Sequence, residues 1–553
     1  RRLLLETCDL QWLFSFENRE KIFPIDSRFR FCCLVGSRGL STRSVRVAFS
    51  RRDLSDWADA ERVVIEVVKE DLNLFSPISN SIPEVETARD LEALRTIFAD
   101  GIALGSEKAS AWGVKYFREY DMTGARKAGQ YLAADKSIAS ATVAGHGHWQ
   151  SGDRKFIAFY TGKMVAPFDF AFQRWVSGHA VRAVWEPLAF GNKGWYPEFV
   201  SPLEEVKRPW RGGTRLVFRD ISNATNERTM LASLIPAWPC GNKVPLLAEH
   251  GQMLIAHQLA LSCILNSFAY DFVVRNRITG INLNKFILDE TPVPNLPTIP
   301  IELSVIGARL CMVHDVFASA WLELLEKYPP LKERAWKSLW AITTASRLEL
   351  RAISDAIIAH LYGLNESQFR WILRNCDYTK EKLSERSFRS QLPAKGFWRT
   401  GVGSAEHPWR KAWSCEPEFR LPNLALVAFV ELDRLKTQLG GDLSATVSAF
   451  APISGSDGWS LPDRLRLRDY GLGQDQRAEE MQELKPRLIR EFPSELPDPR
   501  TWDDCRSIAE RLQTLWPVGA QEASQSEVLS TRRNRRGRRD PEVGQPELFG
   551  GDE

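Results

Sequence analysis

Residues 112–236 run as short, aromatic-rich segments punctuated by Gly and Pro, and beyond them apolar residues recur at helical spacing. A chain divided this way segregates a β-rich part from a helical part, because periods of 2 and 3.6 bury different faces. In the first part, FIAFYTGKMVAPFDF (156–170) reads as strand, Thr-Gly turn, strand, with Lys163 at the tip. TRLVFRDI (214–221) alternates, with Leu216 and Phe218 on one face and Arg215, Val217 and Arg219 on the other. Arg219 then stands at the strand end, before the loop FRDISNATNERT (218–229), in which nine of twelve side chains are polar. A core strand does not bury such a set unpaired, so the stretch is either a solvated loop or a surface that reads a polyanion.

The helical part has its own punctuation. In LALSCILNSFAYDFVVRNRITG (259–280), Leu261, Ile264, Leu265, Phe268 and Phe272 form one stripe and Gly280 lies beyond its end. Pro292, Pro294, Pro297 and Pro300 mark a linker. LELRAISDAIIAHLYG (348–363) places Leu350, Ile353, Ile357 and Leu361 in register and stops at Gly363. NESQ (365–368) has the form of a capping box that starts the next helix. Nearer the start, VETARDLEALRTIFADG (85–101) predicts a helix closing on Gly101. FCCLVG (31–36) and SVRVAFS (44–50) predict a hairpin through SRGLSTR, and residues 61–72 read as strand or helix.

With 553 residues, 44% hydrophobic and 26% charged, the chain is long enough for three or four domains. No run of eighteen apolar residues is present, so no membrane span is expected. The opening RRLLLETCDL reads as a truncation rather than a signal peptide. Nine Cys without a C-x-x-C pair fit a reduced cytosolic compartment. The net charge of +3 is mild, but TRRNRRGRR (531–539) concentrates six arginines in what reads as a disordered basic tail.

The chain has no G-x-S-x-G, Walker loop or H-E-x-x-H. His146 and His148 in GHGHW lack a ligand cluster around them, and TGVGS at 400–404 follows no apolar strand, which makes it a turn. Neither NPP nor DPP followed by an aromatic residue occurs.

FSFENREKIFPIDSRFRFCCLVG (14–36) resembles the end of the catalytic domain of adenine-specific DNA methyltransferases of restriction-modification systems, the type IIG and TaqI-like group. Downstream, SPISNSIPEVETARDLEALRTIFA, WGVKYFREYDMT, YTGKMVAPFDFAF, FRDISNATNERTMLASLIP, LNSFAYDFVVRNRITGINLNKFILDETPVP, DAIIAHLYGLNESQFRWIL and LPNLALVAFVEL resemble the same family in the same order. The resemblance implies an α+β multidomain chain: the end of a doubly wound methyltransferase sheet, then a mixed β-rich target-recognition domain and a helical C-terminal region. Its parts would be 1–72, the remnant of the catalytic domain; 73–110, a helical connector; 111–295, the target-recognition domain; 296–440, a helical domain; and 441–553, an extension with the basic tail. S-adenosylmethionine and the NPP-aromatic tetrapeptide would belong to an upstream part, which leaves this chain alone inactive in methyl transfer. Mg2+ would enter only with a fused nuclease. The implied partners are double-stranded DNA and an upstream or separate catalytic unit. A non-catalytic specificity subunit, or a structural component of a phage-defence complex, are the alternatives.

On that reading the DNA-contact candidates are Arg219 and Arg228 for phosphates or bases, and Asn223 and Asn226 for bases, with local turn capping as the alternative for the two Asn. Lys163, Arg154 and Lys155 are candidates for phosphate. Asn282, Asn284 and Lys285, in GINLNKF, are candidates for either DNA contact or turn capping. Trp112 and Trp149 are candidates for base stacking.

Overall fold

The structure, a computed structural model, describes residues 2–27, 29–194, 196–206, 213–249, 253–402, 412–453, 457–474 and 481–514. The basic tail at 531–539 and Gly403 of the TGVGS turn lie outside them. The architecture is mixed α/β, with several small sheets packed among helices.

The first sheet has the order β2-β1-β3-β4, with β1 Cys8–Glu17, β2 Arg30–Arg38, β3 Ser44–Arg51 and β4 Ile65–Val68. The expected hairpin of β2 on β3 does not form. Both strands instead flank β1, antiparallel and parallel to it respectively, so β1 takes the central place between the two segments. Strand β2 is the edge, and its apolar run reaches solvent on both faces, Leu34 at 50% and Val35 at 41% exposure. Residues 61–72 resolve into both alternatives: β4 is flanked by the short helices Ala60–Val63 and Lys69–Phe75.

Helix Ala88–Asp100 forms where its periodicity predicts, and buries Leu91, Leu94, Ile97 and Phe98. The Thr87 hydroxyl accepts from the Asp90 backbone while the Asp90 carboxylate accepts from the Thr87 backbone, which satisfies two donors at the helix start. The chain then continues as β5 Gly101–Ala103. The proline-rich linker supplies β16 Pro292–Pro294, which pairs antiparallel with β5.

The β-rich part holds a five-stranded sheet of order β6-β12-β9-β8-β7. Its strands are β6 Leu132–Ala133, β7 Thr142–Gly145, β8 His148–Ser151, β9 Arg154–Phe159 and β12 Phe199–Pro202. A hairpin of β10 Gln173–Ser177 and β11 Val184–Pro187 projects beside it. The second strand expected within 156–170 is absent, for β9 runs into a 3-10 turn, Gly162–Met164, and Phe168 takes a positive φ of 58°.

A second sheet has the order β14-β13-β15, from β13 Thr214–Phe218, β14 Ala232–Pro236 and β15 Leu246–Glu249. Central in this sheet, β13 is buried at all five positions, so the alternation in its sequence does not mean a solvated face. Arg215 is held there by Glu119 at 2.8 Å and the Trp238 carbonyl at 2.8 Å.

The single helix expected within 259–280 is two, Ile255–Leu265 and Phe268–Arg275. Asn266 breaks it by pairing with the edge strand β14: its Oδ1 accepts from the Ala232 N–H at 3.0 Å and its Nδ2 donates to the Ala232 carbonyl at 2.9 Å. Ser267 then caps the second helix through Tyr270 N–H. Helix Ile301–Cys311 lies so close to the first that a side chain at Gly307 would sit 2.5 Å from the Leu259 carbonyl oxygen. Helix Thr344–Leu361 ends before Gly363 at φ 68°, and the Asn365–Gln368 capping box opens helix Glu366–Ile372. Helix Leu421–Gln438 packs along Thr344–Leu361, and Trp502 of helix Trp502–Thr514 donates to the Arg334 carbonyl at 2.9 Å. One contiguous apolar core joins these parts from Leu5 to Leu512. No helix among the described residues is long and apolar enough to cross a membrane.

Candidate nucleic-acid cleft

The exits of β9 and β13 come together where the five-stranded and three-stranded sheets meet. After β9, the Tyr160 N–H donates to Pro239 and its carbonyl accepts from Gly241, which ties residues 161–163 to the loop 239–243. After β13, the stem of Arg219 packs along Gly162, where a Cβ would lie in ordinary contact, 3.7 Å from Arg219 Cγ. The outcome is a cleft of about 960 Å³, which Arg126, Lys136, Lys163, Arg219 and Lys243 line together with Tyr131, Trp185 and Phe199. Glu198 is the carboxylate among the lining residues.

The cations are not equivalent. Lys243 is committed, reaching Asp220 Oδ2 at 3.0 Å and Asn282 Oδ1 at 3.3 Å. Arg219 is half-buried and, among the described residues, its guanidinium has neither a hydrogen-bond nor an ion-pair partner; burial alone pulls its pKa down. An uncompensated cation at a cleft wall raises the local potential for an anion. Lys163 is exposed on the 3-10 turn and likewise unpaired. At the acidic side, burial raises the pKa of Glu198, which accepts from the Ala180 N–H at 3.4 Å and faces His179 Nδ1 at 3.7 Å. His179 in turn reaches Asp135 at 3.2 Å and stacks on Trp175.

Of the residues singled out from sequence, Arg219 and Lys163 line this cleft, and Asn282 borders it through Lys243. The others lie elsewhere. Arg228, expected to face DNA, is 2% exposed: its Nε donates to Asp271 at 2.8 Å and its guanidinium lies over Phe268 at 4.3 Å. Its loop turns inward because Asp271 also accepts from the Thr229 and Met230 backbone, and Arg275 grips the Asn226 and Glu227 carbonyls. Asn223 closes a local turn by accepting from Thr225 N–H at 2.9 Å, while the Asn226 side chain is exposed. The second half of the loop thus organises the core, and Arg219 and Ile221 of its first half reach the cleft.

Arg154 pairs at the surface with Glu204 at 3.3 Å, and Lys155 beside it is exposed. Asn284 is the N-cap residue of helix Lys285–Asp289 without a side-chain cap bond, and Lys285 pairs with Asp289 one turn on. Both Trp candidates are core residues. Trp112 is 1% exposed and donates to the Pro294 carbonyl, and Trp149 is 5% exposed against Tyr196, so neither is placed to stack on a base. Trp185 and Phe199 are half-buried aromatics at the cleft, and Trp185 stands in the alternating stretch VRAVWEP, whose period-2 pattern on a short hairpin is the signal that would have found it. His148 is buried with its pKa down at about 3, its Nδ1 2.8 Å from the His146 carbonyl, and the His146 ring meets His314 edge-on at 4.3 Å.

No family model and no curated protein sequence matches the chain. Among solved structures it is similar to the type IIG restriction endonuclease BpuSI, with a TM-score of 0.23 and 12% identity over 57% of this chain and 42% of that one. The chain therefore spans less than half the length of that protein.

Proposed function

We propose that the cleft binds DNA, and that the chain is the recognition part of a restriction-modification enzyme that methylates adenine at a specific site. The observation that carries this reading is Arg219, a half-buried guanidinium without a partner among the described residues, which faces a cleft shared with Lys163, Arg126 and Lys136. Holding an unpaired cation out of water costs free energy, and a phosphate oxygen offsets that through charge-assisted hydrogen bonds. The ordered sequence segments that resemble adenine-specific DNA methyltransferases support the same partner. On this reading S-adenosylmethionine and the methyl transfer belong to an α/β catalytic unit. Strand β2, apolar and exposed on both faces, has the character of a strand buried within a larger sheet.

The test is selection from a pool of random duplexes by the purified chain at low and moderate salt, with sequencing of what is retained. An enriched motif supports a recognition module. Retention without enrichment reduces the reading to non-specific DNA attraction, and no retention by the chain, alone or with a catalytic unit added, overturns it.

A further inference from the structure

A second cavity, of about 550 Å³, lies between helix Ile301–Cys311, helix Thr344–Leu361 and the loop that follows helix Leu443–Phe450. It shares no lining residue with the cleft. Glu302, Val305, Ile306 and Arg309 face it from the first helix, at the i, i+3, i+4 and i+7 spacing of one helical side. Two of its three carboxylates build the walls. Glu302 accepts from the Ser448 hydroxyl at 2.6 Å, which ties helix Leu443–Phe450 to helix Ile301–Cys311. Glu349 accepts from the Leu461 N–H at 3.0 Å, which holds the far end of the loop, while Glu333 is exposed. Between these anchors the Trp459 N–H donates to the Phe450 carbonyl at 2.7 Å, and the two rings stack at 5.6 Å.

The arginines of the cavity are not committed in this way. Arg309 Nε donates to the Leu339 carbonyl at 3.2 Å, which orients the guanidinium, and its terminal nitrogens have neither a hydrogen-bond nor an ion-pair partner among the described residues. Arg334 follows the 3-10 turn Pro329–Glu333, and its backbone carbonyl is held by the Trp502 indole. Its guanidinium likewise has no partner among the described residues. The two charges act on each other: burial first, and Arg334 next, bring the pKa of Arg309 down to about 10, against the pull of Glu349. Like charges held at one wall repel, and a doubly charged anion between them offsets that cost.

We propose that this cavity binds a small phosphorylated molecule, with its phosphate between the guanidinium groups of Arg309 and Arg334 and its organic part against Val305, Ile353 and Trp459. The oriented fork of Arg309 matches two phosphate oxygens. An apolar wall beside two cations suits a phosphate that carries an organic group, and the volume lies within the range of sites that enclose small molecules, about 300–1,000 Å³. The start of the C-terminal extension thereby acquires a task, that of forming one wall of a ligand site.

The test is calorimetric titration of the full chain with phenyl phosphate, inorganic phosphate and phenol, together with hydrogen exchange of helix Leu443–Phe450. The expected result is saturable binding of phenyl phosphate at one site, tighter than that of inorganic phosphate, none of phenol, and slower exchange in that helix. Arg309→Gln and Arg334→Gln each weaken the binding of phenyl phosphate by about tenfold or more, with the urea midpoint retained. Should Arg309→Gln fail to fold, Arg334→Gln still decides, because its guanidinium bonds nothing among the described residues. The Arg219→Ala, Lys163→Ala double variant of the cleft binds phenyl phosphate as the unaltered chain does. An absence of saturable binding overturns the proposal, as does binding that survives both glutamine variants or is lost with the cleft variant instead. Inorganic phosphate bound as tightly as phenyl phosphate overturns the organic part of the ligand. A short duplex that displaces phenyl phosphate from the cleft variant assigns the arginines to nucleic-acid phosphate and overturns the small-molecule source.

Discussion

Arg219 and Arg228 belong to one polar loop and have opposite surroundings. Arg228 is paired with Asp271 in the interior, so Arg228→Ala leaves a buried carboxylate uncompensated and is expected to destabilise the fold by about 3–5 kcal/mol, read as a fall in the urea midpoint. Arg219→Ala removes an unpaired charge and is expected to leave the same midpoint within about 0.5 kcal/mol. Equal losses for the two variants would contradict the assignment. The position of Arg219 was legible in the sequence, because alternation up to Phe218 sets the strand end. The role of Arg228 was not, since its partner lies 43 residues away on a helix that sequence alone does not dock. Trp112 and Trp149 fail as stacking residues for a related reason. A Trp among aromatics looks the same in sequence whether its neighbours cover it or leave a face open.

Elements whose ends are fixed by nearby side chains were the legible ones. The helix starts at Thr87 and Asn365 rest on reciprocal bonds three residues apart, and the one at Asn365 stands where its spacing predicts. Asn365→Ala is expected to cost about 1 kcal/mol, measured by chemical denaturation; no change would mean that the cap is redundant. The helix break at Asn266 and the central place of β1 were hidden, because each depends on a strand remote in sequence. Close approach of helices Ile255–Leu265 and Ile301–Cys311 is equally non-local. Gly307→Ala meets the Leu259 backbone rather than a movable side chain, so a loss of about 1–3 kcal/mol is expected, again by denaturation.

Across the whole molecule, burial opposes protonation of several histidines. It lowers the pKa of His146, takes His314 well below its ordinary value, and brings His148 to about 3 and His360 to about 4. A depressed folded-state pKa contributes stability that is present above the unfolded value near 6.5 and is lost as pH falls toward 4 and 3. Asp355 acts in the opposite sense. Burial raises it to about 6, so its contribution is complete below the ordinary 3.8 and is lost as pH rises through 6. Five histidines, with His257 also lowered by burial, outweigh Asp355, Glu198 and Glu418, which burial raises, and predict a Tm that falls as the pH drops from 6.5 to 4.5; a Tm that rises over that range would contradict the burial of these rings. The cleft itself is tested most directly by the salt dependence of duplex binding for the chain and for the Arg219→Ala, Lys163→Ala double variant. The account predicts steeply salt-dependent binding by the chain, and a slope of log K against log salt shallower by about 2 in the variant, with thermal stability retained. An unchanged slope and affinity would contradict the cleft as the place where this protein meets DNA.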